Sequence, residues 1–519
     1  MGKSKVSGIK VKNKFIRENW LVAFILIIAS FLRFFRLSSL PPGLHPDEAA
    51  NGLDVISMLD AHKFAAIYDT NGPREALFLY LQAIPVLIGK VTGWTFLNFT
   101  PLSLRIAPAI IGVATVYGIY LLGKELFNKN VGLFAAAALA VSAWHIQFSR
   151  NGFRAIMAPL ALVFLFYFFI RAYKNGKMKD YIATGITFAL GFYTYLSFRM
   201  TPLILIALLI YILVADKKFI KKNSKNIIYL AITFMIVMLP MIVHFIHVPA
   251  DLAGRASTSI FNSETNGGSP IKALADNVVK TAEMFNFKGD QNFRHNVAGL
   301  PMLDIFIGVL MWVGVVISLI RIRKIEYFLL VMWVGALSLP ELLTSEGIPH
   351  ALRIVGVIPV VFLWSAIGLN WFLEKVKIKQ VLPVGIALIL VISGAAGFYK
   401  YFIVFPSYSE AHEAYAENMV AVAEDIKKQP QDTKLIILMG EYGTKTVDFM
   451  IHPTGKTYER YEVYTIKDLK LPQGHYKIYL EREWKDDAIK ELEKIGFDKG
   501  FTAVPSKADK RIIYYEYSK

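Results

Sequence analysis

Residues 40–54 read LPPGLHPDEAANGLD, and the two adjacent carboxylates near their centre, Asp47 and Glu48, come just after the first long apolar stretch of the chain. Pro46 suits a first helical position, because the N–H it lacks is one that a helix start leaves unpaired. Asp47 and Glu48 then fall in the first turn, where free backbone N–H groups and the helix dipole favour negative charge. Pro41, Pro42 and Gly43 stiffen and turn the approach, which holds the acids close to a membrane surface. Two readings stand at this point: a pair of capping acids, common at any helix start, and a catalytic base held at a fixed place.

Composition supplies the setting. The chain has 519 residues, 55% of them hydrophobic, with 37 Phe and 25 Tyr, and its mean hydropathy is +0.44. That is too apolar for a soluble protein of this length and fits a polytopic membrane protein. The net charge of +17 is carried largely by lysines between apolar spans, a positive-inside pattern that argues against nucleic acid as a partner. The absence of cysteine excludes disulfides, a thiolate nucleophile and Cys-held metal. No glycine-rich phosphate loop of the P-loop or Rossmann kind occurs, so neither a nucleotide-sugar donor nor an ATP-driven pump is supported. The basic stretch 1–19 precedes the apolar run Trp20–Phe35 without a small-residue cleavage site, and this first helix is expected to be retained.

A spanning helix needs roughly 20 apolar residues. Candidates fall at 20–37, 103–122, 130–148, 155–172, 180–197, 201–215, 227–247, 302–320, 325–343, 351–373 and 381–402, about eleven spans in all. A further apolar run, Ala76–Gly89, is shorter, contains Pro85 and is expected to lie in the interface. Lys124 and Lys129, Lys174–Lys179, Lys217–Lys225, Arg321–Lys324 and Lys375–Lys379 then share one side with the basic N-terminus. This makes the N-terminus cytoplasmic, the C-terminus extracytoplasmic, and 38–101 and 248–300 outer loops of a transmembrane domain covering 20–404. Arg74, Arg105, Arg150, Arg154, Arg199, Arg294 and Arg353 gather at outer ends against that charge bias, as an anion site would require. Within the second outer loop, NSETNGGSP at 262–270 reads as a mobile segment.

From about residue 405 the sequence turns charged and its periodicities mix. A helix over Glu410–Lys428, β-runs at Leu435–Met439, Tyr476–Leu480 and Ile512–Tyr517, and a helix over Asp486–Ile495 predict a small α/β domain at 405–519, outside the membrane.

With this topology in place, several stretches acquire a common meaning. HPDEAANGLDV follows the first helix, NGPREALFLYL closes its loop, and LRIAPAIIGVATVYGIYLLGKELFNKNVGLFAAAALAVSAWHIQFSRNGFRA runs through the next spans. FKGDQNFRHNVAGLP precedes the eighth span and PHALRIVGVIP opens the tenth. In their order and placement these resemble the polyprenyl-phosphate-dependent glycosyltransferases of the GT-C class, in particular the branch of protein O-mannosyltransferases and aminoarabinose transferases. One departure stands out: the first outer loop closes with Gly72-Pro73-Arg74-Glu75 where aminoarabinose transferases often carry a Lys-Pro-Pro-type segment.

The resemblance implies transfer of a sugar from a polyprenyl-phosphate carrier to a protein, lipid or cell-wall glycan acceptor on the outer face, with inversion. Asp47 would then be the base that takes the acceptor proton, with Glu48 orienting the acceptor or assisting. Arg74, Arg150, Arg199, Arg294 and Arg353 are candidates for the departing phosphate, since a guanidinium fork matches its oxygens and stays charged. His295, His350 and Asp290 join them as substrate-binding candidates. His244 and His247 lie one helical turn apart, but no spacing matches a strong metal signature. No cofactor is therefore expected, although part of the resembled class uses a divalent ion and leaves that question open. A transporter or flippase of lipid-linked sugars is the alternative, and a non-catalytic membrane scaffold is another. The first would show repeated halves with broken helices, which the sequence lacks; the second would have no need of Asp47.

Overall fold

The computed structural model describes residues 20–253, 260–261, 269–375, 382–497 and 499–519. The basic N-terminal stretch, most of NSETNGGSP and part of the lysine cluster at 375–379 lie outside the described residues. The chain divides into two compact units, one holding the chain up to Phe35, Glu75–Phe78 and Pro108–Val404, the other Arg36–Arg74, Leu79–Ala107 and Phe405–Lys519. The first outer loop thus groups with the C-terminal residues, where the sequence reading had attached it to the membrane part.

The first unit is a helical bundle. Each of the eleven predicted spans coincides with helix, and seven helices in the described chain are long and apolar enough to cross a membrane. Trp20–Phe34, Leu77–Thr92, Lys129–Val141 and Ile305–Ile320 are apolar but shorter. Two expected spans are interrupted: 130–148 breaks at Ser142 into Lys129–Val141 and Ala143–Phe148, and 180–197 ends as helix at Gly191. Burial ranks the helices within the unit. Val355–Lys375 buries 83% of its apolar window, whereas Phe219–His247 buries 11%. Ile236, Leu239 and Ile246 therefore face outward, the distribution expected where lipid takes the place of water.

Without a hydrophobic drive between helices in lipid, close approach has to come from small residues. Ile305–Ile320 and Ile358–Lys375 pack through Gly314 and Gly368: a Cβ at the first would lie 1.9 Å from the Trp364 carbonyl oxygen, and at the second 2.1 Å from that of Leu310.

The second unit contains a five-stranded sheet in the order 459–461, 434–438, 476–481, 512–518, 502–505. Strand 434–438 runs parallel to both neighbours, and the last two pairings are antiparallel. Its core is Ile436, Leu438, Ile478, Leu480, Ala488, Leu492 and Phe497. The three predicted β-runs occur as strands. The short strands Glu459–Tyr461 and Thr502–Pro505 and the helix Glu441–Ile451 were not foreseen. The expected helix over 410–428 is split at Ala416, which has φ +49°.

Helix Pro46–Asp60 belongs to this unit and packs against Glu441–Ile451. Gly52 permits the contact, since a Cβ there would come within 2.4 Å of the Phe449 ring. Gly43, at φ +72°, makes the turn into the helix and lies against Tyr415 and Glu417 backbone.

Candidate active site

The helix carrying the acids starts as its sequence dictates. Pro46 is at the first position and the imidazole of His45 caps it, Nδ1 accepting from the Asp47 backbone N–H at 3.0 Å. The two neighbouring carboxylates then receive opposite environments. Glu48 is fully buried and held in a fork by Arg105, with Nε to Oε2 at 2.9 Å and Nη2 to Oε1 at 3.1 Å. The same guanidinium donates to the carbonyls of Pro41 and Gly43 at 2.8 Å, so this pair fastens the proline-rich approach to its helix.

Asp47 keeps 28% of its side chain exposed. Its Oδ1 receives Arg74 Nη2 at 3.0 Å, the Tyr442 hydroxyl at 2.9 Å and the amide of Asn71. Arg74 in turn donates to the Asp47 carbonyl at 3.0 Å and to the side chain of Asn51. The predicted phosphate ligand Arg74 is thus a buried strut that orients Asp47. A third acid on the helix, Asp54, is almost wholly buried and accepts from Thr70. Burial raises its pKa against the pull of Thr70 and Arg74.

The remaining candidates belong to the other unit. Arg150 is fully buried and donates to the carbonyls of Leu32, Arg33 and Phe35 at 2.7–3.0 Å. There it satisfies carbonyls at the end of helix Trp20–Phe34. Arg199 lies 3.5 Å from Glu75, which also receives Arg154 Nε at 2.8 Å. A buried acid therefore spaces two arginines.

Five predicted residues form one cluster: Asp290, Arg294, His295, His350 and Arg353. Asp290 Oδ2 takes Nδ1 of His295 at 2.9 Å and the Ala351 N–H at 2.7 Å, while Oδ1 takes the Asn292 N–H at 2.7 Å. The ring centroids of His295 and His350 are 4.7 Å apart. Both imidazoles are held neutral, first by burial; His350 is pushed down to about 3, with help from His295. Burial alone would raise Asp290, but the bond from His295 and the charges around it hold its carboxyl below the ordinary value. Arg294 and Arg353 both act on the imidazole pair. Arg353 also sits 3.7 Å from the buried Glu341. One ligand atom each from Asp290, His295 and His350 lies within 4.8 Å of the others, a set whose chemistry suits a divalent ion.

Tyr442, Asn71, Asn51, Arg105, Arg154, Glu75 and Glu341 complete these networks and were not selected as site residues from the sequence. Arg105 and Arg154 were visible as outer arginines. The others carry no local signal, because their partners are distant in the chain.

Residues 87–244 match the family model described as dolichyl-phosphate-mannose-protein mannosyltransferase. Over the whole chain the fold is similar to ArnT from Cupriavidus metallidurans. Its apo structure aligns at TM-score 0.60 and 12% identity, covering 99% of this chain and 98% of that one. Its complex with undecaprenyl phosphate aligns at TM-score 0.59 and 10% identity, covering 96% and 98%. The oligosaccharyltransferase AglB from Archaeoglobus fulgidus, crystallised with an inhibitory peptide and a dolichol-phosphate, aligns at TM-score 0.51 and 14% identity, covering 92% and 69%. No curated protein matches the sequence. The fold over the whole chain is thus similar to that of ArnT and AglB, and the mannosyltransferase family match covers residues 87–244. They favour transfer over the transporter and scaffold readings.

Proposed function

We propose that the chain transfers a sugar from a polyprenyl-phosphate carrier to an acceptor hydroxyl on the outer face of the cell membrane, with inversion at the anomeric carbon. The observation that carries this reading is the held carboxylate of Asp47, part exposed and fixed by Arg74, Asn71 and Tyr442, in a chain of this fold. The lipid phosphates bound to ArnT and AglB support a carrier of that chemistry here.

In the proposed step Asp47 accepts the proton of the acceptor hydroxyl as its oxygen bonds to the anomeric carbon. The bond from that carbon to the phosphate oxygen breaks, and its electron pair leaves with the lipid phosphate. Fixed cations would stabilise the charge that develops on the phosphate. A single displacement inverts the centre. The contrast between the two acids is part of the proposal: Asp47 serves the reaction, and Glu48, sealed against Arg105, holds the helix.

The test is transfer from a purified polyprenyl-phosphate sugar by the full chain in lipid nanodiscs. Asp47→Asn keeps the size of the side chain but removes the charge opposite Arg74, so a merely structural role predicts a loss of stability in step with any loss of turnover. A base role predicts a turnover loss of roughly a hundredfold or more with the fold retained. Near-normal turnover in that variant removes Asp47 from the mechanism.

A further inference from the structure

The C-terminal sheet holds a crevice that the proposed step leaves unused. Strands 434–438 and 476–481 are parallel neighbours. From the first the chain leaves through helix Glu441–Ile451 to strand 459–461 on one side. From the second it leaves through helix Lys485–Lys494 towards strands 502–505 and 512–518 on the other. The two connections part, and open α/β sheets take ligands at such a place, beyond the carboxyl ends of the strands where the order reverses. Here that place is a cavity of about 430 Å³, lined among others by Gly440, Tyr442, Glu481 and Trp484. Its volume falls within the range of small-molecule sites.

The side chains around it are fixed. The Gly440 N–H donates to Oε2 of Glu481 at 3.1 Å, which ties that carboxylate across the ends of both strands. Burial pushes its carboxyl up, against the pull of the Gly440 N–H. The indole of Trp484 packs partly on the core of the sheet and lies against Gly440, where a Cβ would meet it at 3.8 Å. Arg482 donates to Glu413 at 3.0 Å and to Glu483 at 2.6 Å, and Arg511 pairs with Glu413 as well. Four glutamates, Glu413, Glu417, Glu481 and Glu483, thus line the cavity against two arginines and His412. An anionic head group or an acidic polymer would meet more like charge than opposite charge. A neutral ligand rich in hydroxyls has no such cost. Its O–H groups donate to the carboxylates, its oxygens accept from the guanidinium groups, and the electron-rich face of an indole attracts the C–H groups of a sugar ring. We infer that this cavity binds a neutral sugar unit of the acceptor, so that the acceptor is a glycan. Tyr442 links the cavity to the chemistry, because it lines the cavity and also donates to Oδ1 of Asp47 at 2.9 Å. A glycan held here is one side chain away from the proposed base. The sugar site stands on its own geometry, and its role as the acceptor site rests on the glycosyl-transfer reading.

The experiment uses the full chain in lipid nanodiscs. Mannotriose and N,N′-diacetylchitobiose serve as neutral probes, with a Ser/Thr-rich peptide beside them, and binding is read by saturation-transfer NMR titration. At least one of the two sugars is expected to bind. Glu481→Gln, which can still accept from the Gly440 N–H, should weaken it at least roughly tenfold, and Trp484→Ala should do the same. Lys490→Gln, exposed and outside the lining, should bind like the parent. In transfer from a polyprenyl-phosphate sugar to the bound oligosaccharide, Glu481→Gln should raise the acceptor KM by a similar factor and leave kcat within a few-fold. The inference falls if neither sugar binds, or if both variants, still folded, bind as tightly as the parent. Transfer by the parent to the peptide, with a KM that Glu481→Gln leaves unchanged, overturns it while the glycosyl-transfer reading stands. Sugar binding that both variants lose, in a parent chain that transfers to no acceptor, keeps the sugar site and overturns that reading together with the acceptor role.

Discussion

The hydroxyl of Tyr442 donates to Oδ1 of Asp47 across 2.9 Å, although 395 residues separate them in the chain. Tyr442 stands in the first turn of helix Glu441–Ile451, which follows the first strand of the C-terminal sheet. The proposed base is therefore held from two sides of one compact unit, by Arg74 from its own loop and by Tyr442 from the C-terminal residues. A hydrogen bond to a charged group contributes about 1.5–3 kcal/mol. Tyr442 is 45% exposed, so removing its hydroxyl leaves no sealed cavity. Tyr442→Phe is expected to lower turnover several-fold to about a hundredfold, with the unfolding temperature nearly unchanged. Turnover and thermal unfolding measured on one preparation decide it, and an equal loss in both would make the bond merely structural.

Glu48 and Arg105 behave in the opposite way. Both side chains are completely enclosed, and breaking such a pair from one side leaves an unpaired buried charge, at a cost of about 3–5 kcal/mol. Glu48→Gln should therefore reduce folded yield and unfolding temperature sharply. If the variant that does fold turns over within a few-fold of the parent, Glu48 is a fastener; a stable but inactive variant would return it to the reaction.

How much of this was legible in the sequence depends on how local each signal was. The helix start at Pro46 was readable because proline, the acids and the preceding turn are neighbours. The bundle was readable because lipid imposes about 20 apolar residues wherever a helix crosses. The roles of the arginines were not, since charge shows only that a guanidinium wants oxygen. Arg150 finds backbone carbonyls, Arg74 finds Asp47, and Arg353 finds Glu341. Helix Glu441–Ile451 was missed because EYGTKTVDFMI mixes glycine and β-branched residues, and its stability comes from Phe449 packing on Gly52. The gathering of Asp290, His295 and His350 depends on two segments about 60 residues apart, a closeness that spacing alone cannot show.

The same glycine gives a packing test. Gly52→Ala gains roughly 0.5–1 kcal/mol of helix propensity but puts a methyl 2.4 Å from the Phe449 ring. Overpacking of this kind costs about 1–3 kcal/mol, so the clash wins. Unfolding by heat should shift downward, and Gly52→Ala combined with Phe449→Leu should recover part of the loss. An upward shift in the single variant would mean that the two helices separate freely.

A pH window follows from His412 and Glu417, whose side chains pair at 3.0 Å in the second unit. The bond to Glu417 raises His412 above 6.5 against the effect of burial. Burial favours the neutral form of Glu417, but His412 and Ser506 outweigh it and hold the group below 4.5. The histidine's contribution is complete below pH 6.5 and is lost as pH rises through its folded value. The glutamate's is complete above pH 4.5 and is lost as pH falls. The pair therefore stabilises most between about pH 4.5 and 6.5. The stability difference between the parent chain and His412→Gln should be larger at pH 5.5 than at pH 8.5, and a difference independent of pH would dismiss the pair.

Orientation in the membrane is the last expectation, and it turns on one helix. Leu77–Thr92 has 16 residues, encloses Pro85 and ends near Lys90. It also carries Ile84, Leu87, Ile88 and Val91 exposed, so it is apolar outside without being long. If it lies along the interface, the lysine groups near 124, 174–179, 217–225 and 321–324 share the side of the basic N-terminus. If it crosses, all four of those groups move outside against the positive-inside bias. A helix of this length spans about 24 Å at 1.5 Å per residue, short of a hydrocarbon core of about 30 Å. Ile305–Ile320, read as a span, is no longer than this, so length does not decide, and charge is what favours the interfacial placement. The chain has no cysteine, which makes single-site labelling direct. Lys63→Cys and His475→Cys should react with a membrane-impermeant maleimide added to intact cells. Met178→Cys, exposed at a helix start, should react only after permeabilisation; labelling of position 178 in intact cells would reverse the assignment and place Leu77–Thr92 across the bilayer.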